Sequence, residues 1–365
     1  MVRRTYQSFC MPLAFIGAVI SVCGMSGNGC PNGTNPTTGS CCVGGAGGTC
    51  DVRSLDDCRA IGGFYGGDNT DCTTVPCGTS GNSQRRGIYV TNYGNNSVTV
   101  YSLDATGDTA PIRTIIGPTT GLSGPIGIDK DTQSHIYVAN RSGGTVGVFD
   151  VLANGDTAPA RVLTDANMTG PEGIVIAPGD DVFVSDANGN GVFHFPNNAT
   201  ASDFNISGSN TQMGFADGVA LDSTRNLYVA NAFGGIVGVF APGTVGNQLP
   251  IRSFNPGGNT QGIAVGNNAV LISTGTGGID QYPETATGNP TPSGNLLPSG
   301  LSYSGGMFFD TSVTPPILYV VDYSGNAVFI IQTAGLAPFL TVDSFKVIQG
   351  GTTGIDSPVG ITVVK

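Results

Sequence analysis

Glu172, Asp217 and Gln261 each stand immediately before a glycine at the head of an apolar segment, in "GPEGIVI", "ADGVAL" and "TQGIAV". Two carboxylates and an amide oxygen are hard donors of the kind a Ca2+ ion collects, with backbone carbonyls and water completing its shell. A carboxylate beside such an ion can also act as general base on a metal-bound water. The same three side chains can equally do no more than solvate a polar opening. Which of these applies depends on what the segments between them build.

Those segments are repeats. Strand-like runs "GIYVTN", "HIYVAN", "DVFVSD", "NLYVAN", "AVLIST" and "ILYVVD" end at Asn92, Asn140, Asp186, Asn231, Thr274 and Asp322, at intervals of 48, 46, 45, 43 and 48 residues. Three and four positions later come Asn95-Asn96, Gly143-Gly144, Gly189-Asn190, Gly234-Gly235, Gly277-Gly278 and Gly325-Asn326. Gly and Asn enter positive φ cheaply, so pairs at one fixed offset mark tight hairpin turns. A second apolar strand follows each turn, another precedes each unit, and an outer one closes it, as in "GDTAPIRTI" and "GDTAPARVL".

Four short strands at a period near 45 residues are the signature of a β-propeller blade, and the count here is six. The fold class is therefore all-β, a six-bladed propeller of four-stranded antiparallel blades over residues 86–365. The first unit lacks its opening strand, whereas the chain carries a spare "SPVGITVV" at its end. That strand is expected to complete the first blade and remove the open edges.

The run "GPxGI…YVAN…GG.V.VF" resembles the NHL repeat family, over all six units from about Gly87 to Lys365. The family's propellers mostly bind proteins or other ligands through one face of the disc, and the resemblance implies the same here. Repeats also allow a residue to be compared with its counterparts inside one chain. The position before the inner-strand glycine holds Ile126, Glu172, Asp217, Gln261, Gly305 and Val359, so three consecutive blades carry oxygen-bearing side chains toward one side of the axial mouth. Six-bladed hydrolases of the gluconolactonase type place metal ligands at similar points. That resemblance makes Glu172 and Asp217 ligands, Gln261 a weaker one, and Asp217 the general base. The sequence departs from that pattern at Gln261, where Asp or Asn is expected, and at Val359, where that family has Glu.

Histidine chemistry has little to draw on, because the chain has only His135 and His194. His135 falls before "IYVAN", on the side of the disc away from the hairpin turns. His194 takes the place of Val100, Val148 and Val239 and reads as a packed strand residue. Two isolated histidines do not supply the metal site of amidating lyases or the histidine pair of paraoxonase-like lactonases. Asp280 falls in a column of valines, which a register shift around "GGIDQY" explains. "DANGNG" at Asp186 matches half of a Ca2+ loop but lacks the closing Glu, Asn197 standing there, and reads as a hairpin turn. Arg113, Arg161 and Arg252 recur on outer strands, where their stems can lie along the blade edge.

All nine cysteines lie between Cys10 and Cys77. "MVRR" followed by "MPLAFIGAVISVC" reads as a bacterial-type export signal over residues 1–23, its apolar run too short to span a bilayer. "ISVC" resembles a lipobox, which would make Cys23 a lipidation site and the only means of membrane attachment. A Gly/Asn/Ser/Thr/Pro linker, 24–40, leads to a module at 41–77 and a second linker at 78–85. Cys41, Cys42, Cys50, Cys58, Cys72 and Cys77 can form three disulfides in an oxidising compartment, with fifteen connectivities open. The module resembles small CC…C…C…GG…GD…C…C units of exported planctomycete-type proteins. Cys30 then lacks an obvious partner unless Cys23 stays free.

A formal charge of −11 with no basic patch argues against nucleic acid as a partner. The sequence thus describes an exported or envelope-anchored protein. Its expected role is that of a non-catalytic scaffold presenting the hairpin-turn face, with the connections "GPTTGLSG", "TDANMTG", "SGSNTQMG" and "NPGGNTQG", to a protein or glycan. The alternative is a Ca2+-dependent hydrolase, lactonase or lyase acting at the same mouth.

Overall fold

The computed structural model describes residues 38–43, 49–54, 64–65 and 85–365, apart from 276 and 336. The chain divides into two compact units, Met1–Gly81 and Asn82–Lys365. In the first, strand Thr38–Val43 lies between Thr49–Ser54 and Phe64–Tyr65, antiparallel to both. This strand takes Thr38 to Ser40 from the segment expected to be linker, because backbone pairing with Val52 to Ser54 extends the ladder. Cys41 is fully buried and disulfide-bonded. Cys42 stands opposite Cys50 in the ladder. The export signal, Cys23, Cys58, Cys72 and Cys77 lie outside the described residues, as do the side chains of Cys42 and Cys50.

The second unit is a ring of six four-stranded sheets. Each blade runs from an inner strand, such as Pro125–Lys130, through two middle strands, here His135–Asn140 and Thr145–Asp150, to an outer one, here Arg161–Leu163. Blade one is closed as the sequence implies: Pro358–Val364 pairs antiparallel with Gly87–Asn92, setting Ile361 opposite Val90 and Val363 opposite Ile88. Middle strands such as Gly87–Asn92 and Leu227–Asn231 are buried on both faces, which explains their continuous apolar runs. The core is six apolar clusters, each shared by two neighbouring blades, and one of them joins blade six (Tyr319, Val328, Ile348) to blade one (Ile88, Tyr101, Ile361).

Two further contacts hold blades together. At the outer rim the "GD" of blades one and two clasps the loop leaving the preceding blade: Asp156 Oδ1 accepts from Thr119 N and Oγ1 (both 2.7 Å), and Asp108 Oδ1 accepts from Thr352 N (2.8 Å) and Oγ1 (2.7 Å). On the turn face Asn96, Asn190 and Asn326 adopt φ of 53°, 46° and 48° and reach the next blade, accepting from Gly124 N, Phe215 N and Ser357 N at 2.6–2.7 Å. The recurring arginines are structural: Arg113, Arg161 and Arg252 donate to Tyr89, Tyr137 and Tyr228 hydroxyls at 2.7–2.8 Å. Asp280 is explained by a hairpin one residue shorter than its counterparts. Ile279, opposite Ser273, takes the valine position, and Asp280 turns outward to accept from Asn295.

At the axis, inner strands pass so close that a Cβ on any of Gly127, Gly173, Gly218, Gly262, Gly306 or Gly360 would lie within 2.6 Å of a carbonyl oxygen of the next blade. Those oxygens belong to Glu172, Asp217, Gln261, Gly305, Val359 and Ile126, so the contact runs round the whole ring. Backbone cannot retreat as a flexible side chain can. Gly173→Ala is therefore expected to cost about 1–3 kcal/mol, whereas Gly351→Ala, with nothing near the added methyl, should stay within about 0.5 kcal/mol of wild type. Urea unfolding of the two variants measures the difference.

Candidate functional site

Five inner strands open with a bulge spanning the residue before this glycine and the glycine itself: pairing breaks between Pro125 and Ile128, Pro171 and Ile174, Ala216 and Val219, Ser304 and Met307, and Pro358 and Ile361. A bulge frees residues from the ladder and re-aims their side chains. The freed amide still needs a partner. In blade three Ser185 Oγ accepts from Gly173 N (2.8 Å) and donates to the Asp217 carbonyl, and in blade one Thr91 Oγ1 does the same for Gly360 N (2.8 Å) and the Ile126 carbonyl (2.5 Å). In blade five the strand opens only at Ile263, leaving Gln261 in the approach loop with its carbonyl accepting from Gly218 N at 3.0 Å.

Glu172, Asp217 and Gln261 are thereby brought to one cavity of about 540 Å3 on the axis. The sequence reading placed these three together but missed what surrounds them. Arg141, directly after Asn140, brings its Nε to 2.9 Å from Glu172 Oε1 and stacks its guanidinium 5.2 Å from the Phe215 ring centre. Tyr93, Phe215, Phe233, Tyr303 and Tyr323 supply aromatic surface. Phe215 meets Phe233 edge-on at 5.0 Å, and Tyr303 lies 5.8 Å from Tyr323. Phe233 is 70% exposed, and Tyr93 and Tyr323 are each 40% exposed.

Phe215 is held in an uncommon conformation. Its φ is 58°, a region that bulky side chains avoid. Asn190 accepts from its amide at 2.6 Å, and its carbonyl accepts from Ala232 N at 3.1 Å. The same turn recurs at Gly124 and Ser357, with φ of 58° and 49° and the same Asn contact, so the propeller sets the conformation and this blade places an aromatic ring under Arg141 with it.

Glu172 is only 3% exposed, and burial pushes its carboxyl well above the ordinary range. Repulsion from Asp217 adds to this, the Arg141 guanidinium opposes it, and Asp186 raises it further. Burial likewise raises Asp217, with Arg141 pulling the other way. Arg141 Nε approaches Glu172 Oε1 out of hydrogen-bonding line, so this buried oxygen has no hydrogen-bond donor. Among the described residues, no hydrogen bond reaches the Asp217 carboxylate either. Gln261 is different, its Nε2 donating to Tyr303 Oη at 2.5 Å.

These residues fit a Ca2+ centre poorly. The guanidinium already supplies positive charge to both carboxylates, and among the described residues no three His, Cys, Asp or Glu side chains gather with ligand spacing. Asp186 is also committed, its Oδ2 accepting from Thr169 N (2.6 Å) and Gly170 N (2.7 Å) and its Oδ1 from Gly189 N (2.5 Å), which makes "DANGNG" a capped turn. Neither histidine lines the cavity. His135 begins its strand rather than lying in the loop before it, and pairs with Asp131 at 2.8 Å. His194 stacks on Phe204 at 4.3 Å and contacts Asp203 at 2.6 Å.

No protein-family model matches the chain, and no curated protein matches it. Solved structures do. Virginiamycin B lyase from Staphylococcus aureus aligns at TM-score 0.51 with 14% identity, covering 75% of this chain and 84% of that one. Its catalytically inactive variant with quinupristin gives 0.52 and 14%, covering 77% and 93%. A chain of the nidogen/laminin complex gives 0.55 and 15%, covering 77% and 98%. At these identities the likeness shows a shared six-bladed propeller fold and leaves the chemistry open.

The buried carboxylates set a pH dependence. A folded-state value above the unfolded one means that these two groups hold their protons more tightly in the native protein, so their contribution to stability is fullest at low pH and is lost as pH rises through the raised values. Asp217→Asn removes one such charge and should raise the melting temperature at pH 8 by about 2–4 °C, with a smaller effect at pH 4. Thermal melts of both proteins at the two pH values measure this.

Proposed function

We propose that the protein is an exported, non-catalytic binding module whose ligand enters the axial mouth on the hairpin-turn face. The observation that carries this reading is the composition of the mouth. Buried carboxylates balanced by an internal guanidinium lie beside solvent-facing aromatic rings, in a cavity of about 540 Å3. Concave, mostly apolar sites with a few converging polar groups are the usual form of a ligand site. The NHL-like repeat pattern supports binding through this face, as does the nidogen/laminin complex among the similar folds. Export is supported by the pattern of residues 1–23 and by the disulfide at Cys41.

A lyase or hydrolase reading finds less support. The similar lyase is recorded as inactive when one histidine is replaced by alanine. Here both histidines lie away from the mouth, each against a carboxylate. Raised carboxyl values at Glu172 and Asp217 would suit proton transfer. However, no nucleophile or firm metal donor set accompanies them among the described residues.

Peptide and glycan arrays probed with the full chain, beside a Phe233→Ala/Tyr323→Ala variant, test the proposal. A saturable ligand that loses about tenfold in affinity in the variant is the expected outcome. Calcium-dependent turnover in a lactone and ester screen, abolished by Asp217→Asn, would replace binding with catalysis. Ligands held equally by both proteins would move the site off the mouth.

A further inference from the structure

Resting on the reading of the mouth as a binding site, the geometry points to the class of group it takes. We propose that the mouth receives a lysine or arginine side chain from a polypeptide partner, its charged head at Asp217 and Glu172 and its stem against the aromatic rings. Three observations converge on this.

The first is charge. Glu172 and Asp217 share one guanidinium, Arg141, so a cation entering the mouth would favour ionisation of the second carboxyl, which burial otherwise holds protonated, and would be matched by it. The second is unfilled acceptor capacity. Glu172 Oε1 has only the Arg141 Nε beside it, in an ion pair that does not meet hydrogen-bond geometry, and the half-buried Asp217 carboxylate receives no hydrogen bond from the described residues. Carboxylates with acceptor sites to spare gain charge-assisted hydrogen bonds when an ammonium or guanidinium reaches them.

The third is shape. The aromatic residues of the rim, Tyr93, Phe233 and Tyr323, are substantially exposed, while Glu172 is buried behind them. A ligand reaching the carboxylates must therefore present an apolar length first and a cation at its tip, which describes a lysine or arginine side chain. Arg141 already makes this contact from within, its guanidinium over Phe215 and its Nε at Glu172. A cation over an aromatic face gains further when water is excluded. An amino sugar carries its ammonium directly on a hydroxylated ring and lacks the apolar stem. The overall charge of −11 also favours encounter with a basic partner.

The test is calorimetric titration of the full chain with a blocked Gly-Gly-Lys-Gly-Gly peptide, its arginine counterpart, its Nε-acetyl-lysine counterpart and glucosamine. Asp217→Asn and Phe233→Ala are run in parallel, their melting curves checking that both are folded. The expected result is saturable binding of the lysine or arginine peptide, weakened about tenfold or more by acetylation and by Asp217→Asn, and about threefold by Phe233→Ala. Equal affinity for the lysine and acetyl-lysine peptides would overturn the cationic specificity while leaving a peptide site. Preference for glucosamine would overturn the polypeptide source. Failure of every probe while an array ligand still depends on Phe233 and Tyr323 would overturn this inference alone. Failure of both the probes and the arrays would remove the binding reading with it.

Discussion

Six backbone contacts round the axis decide what the rest of this propeller can be. Each inner-strand glycine meets the carbonyl oxygen of the neighbouring blade at a separation that leaves no room for a β-carbon, and the chain of contacts returns from Gly360 to Ile126. Close approach of backbone to backbone is the use glycine serves best. It requires the residue before each glycine to leave the ladder, and the bulge that results sends that residue's side chain toward the axis. Ring closure and the site are therefore two effects of one local geometry. The fold needs the residue before each glycine out of the ladder, by a bulge in five blades and by a later strand start in blade five, and the sequence is free to choose what that residue displays.

Blades three and four use that freedom to place carboxylates, and the surroundings hold them at a cost. Asp217 makes ionisation of Glu172 costlier across the cavity, and one guanidinium relieves both carboxylates. Phe215 contributes backbone strain to the same place. Apolar side chains at the carboxylate positions, as Ile126 and Val359 supply in blades two and one, would satisfy the fold without buried charge. Such concentrated expense suggests work at the mouth rather than support of the disc.

The architecture was legible because each element carries a local signal: buried strands as apolar runs, turns as Gly/Asn pairs, and the missing first strand as a spare final one. The carboxylates were legible for the same reason, since a repeat supplies five comparisons for every position. Arg141 follows the strand-ending Asn140, where the other blades have Tyr93, Ala187, Ala232, Gly275 and Tyr323, so the same comparison made at that column would have marked it. Phe215 and Tyr303 stand two residues before the bulge-opening position, where blades two and three have Gly124 and Gly170. What no column shows is that residues from separate blades meet: the Arg141 contact with Glu172 crosses from blade two to blade three, and with Phe215 to blade four. His135 was placed in a loop because its own strand begins one residue before the apolar run, extended by backbone pairing with Asp150.

The pairing of Pro358–Val364 with Gly87–Asn92 also bears on how such a chain reaches its native state. Blades two to five can form in order as the chain grows, each covering the apolar flank of the one before. Blade one cannot, because its innermost strand is made some 270 residues later than its neighbour. Until then Ile88 and Val90 have no inner partner, and the cluster that joins blade six to blade one lacks Ile361 and Val363. Vectorial synthesis thus leaves a sheet edge open and one of the six apolar clusters incomplete until this seven-residue strand is made, which closes both at once.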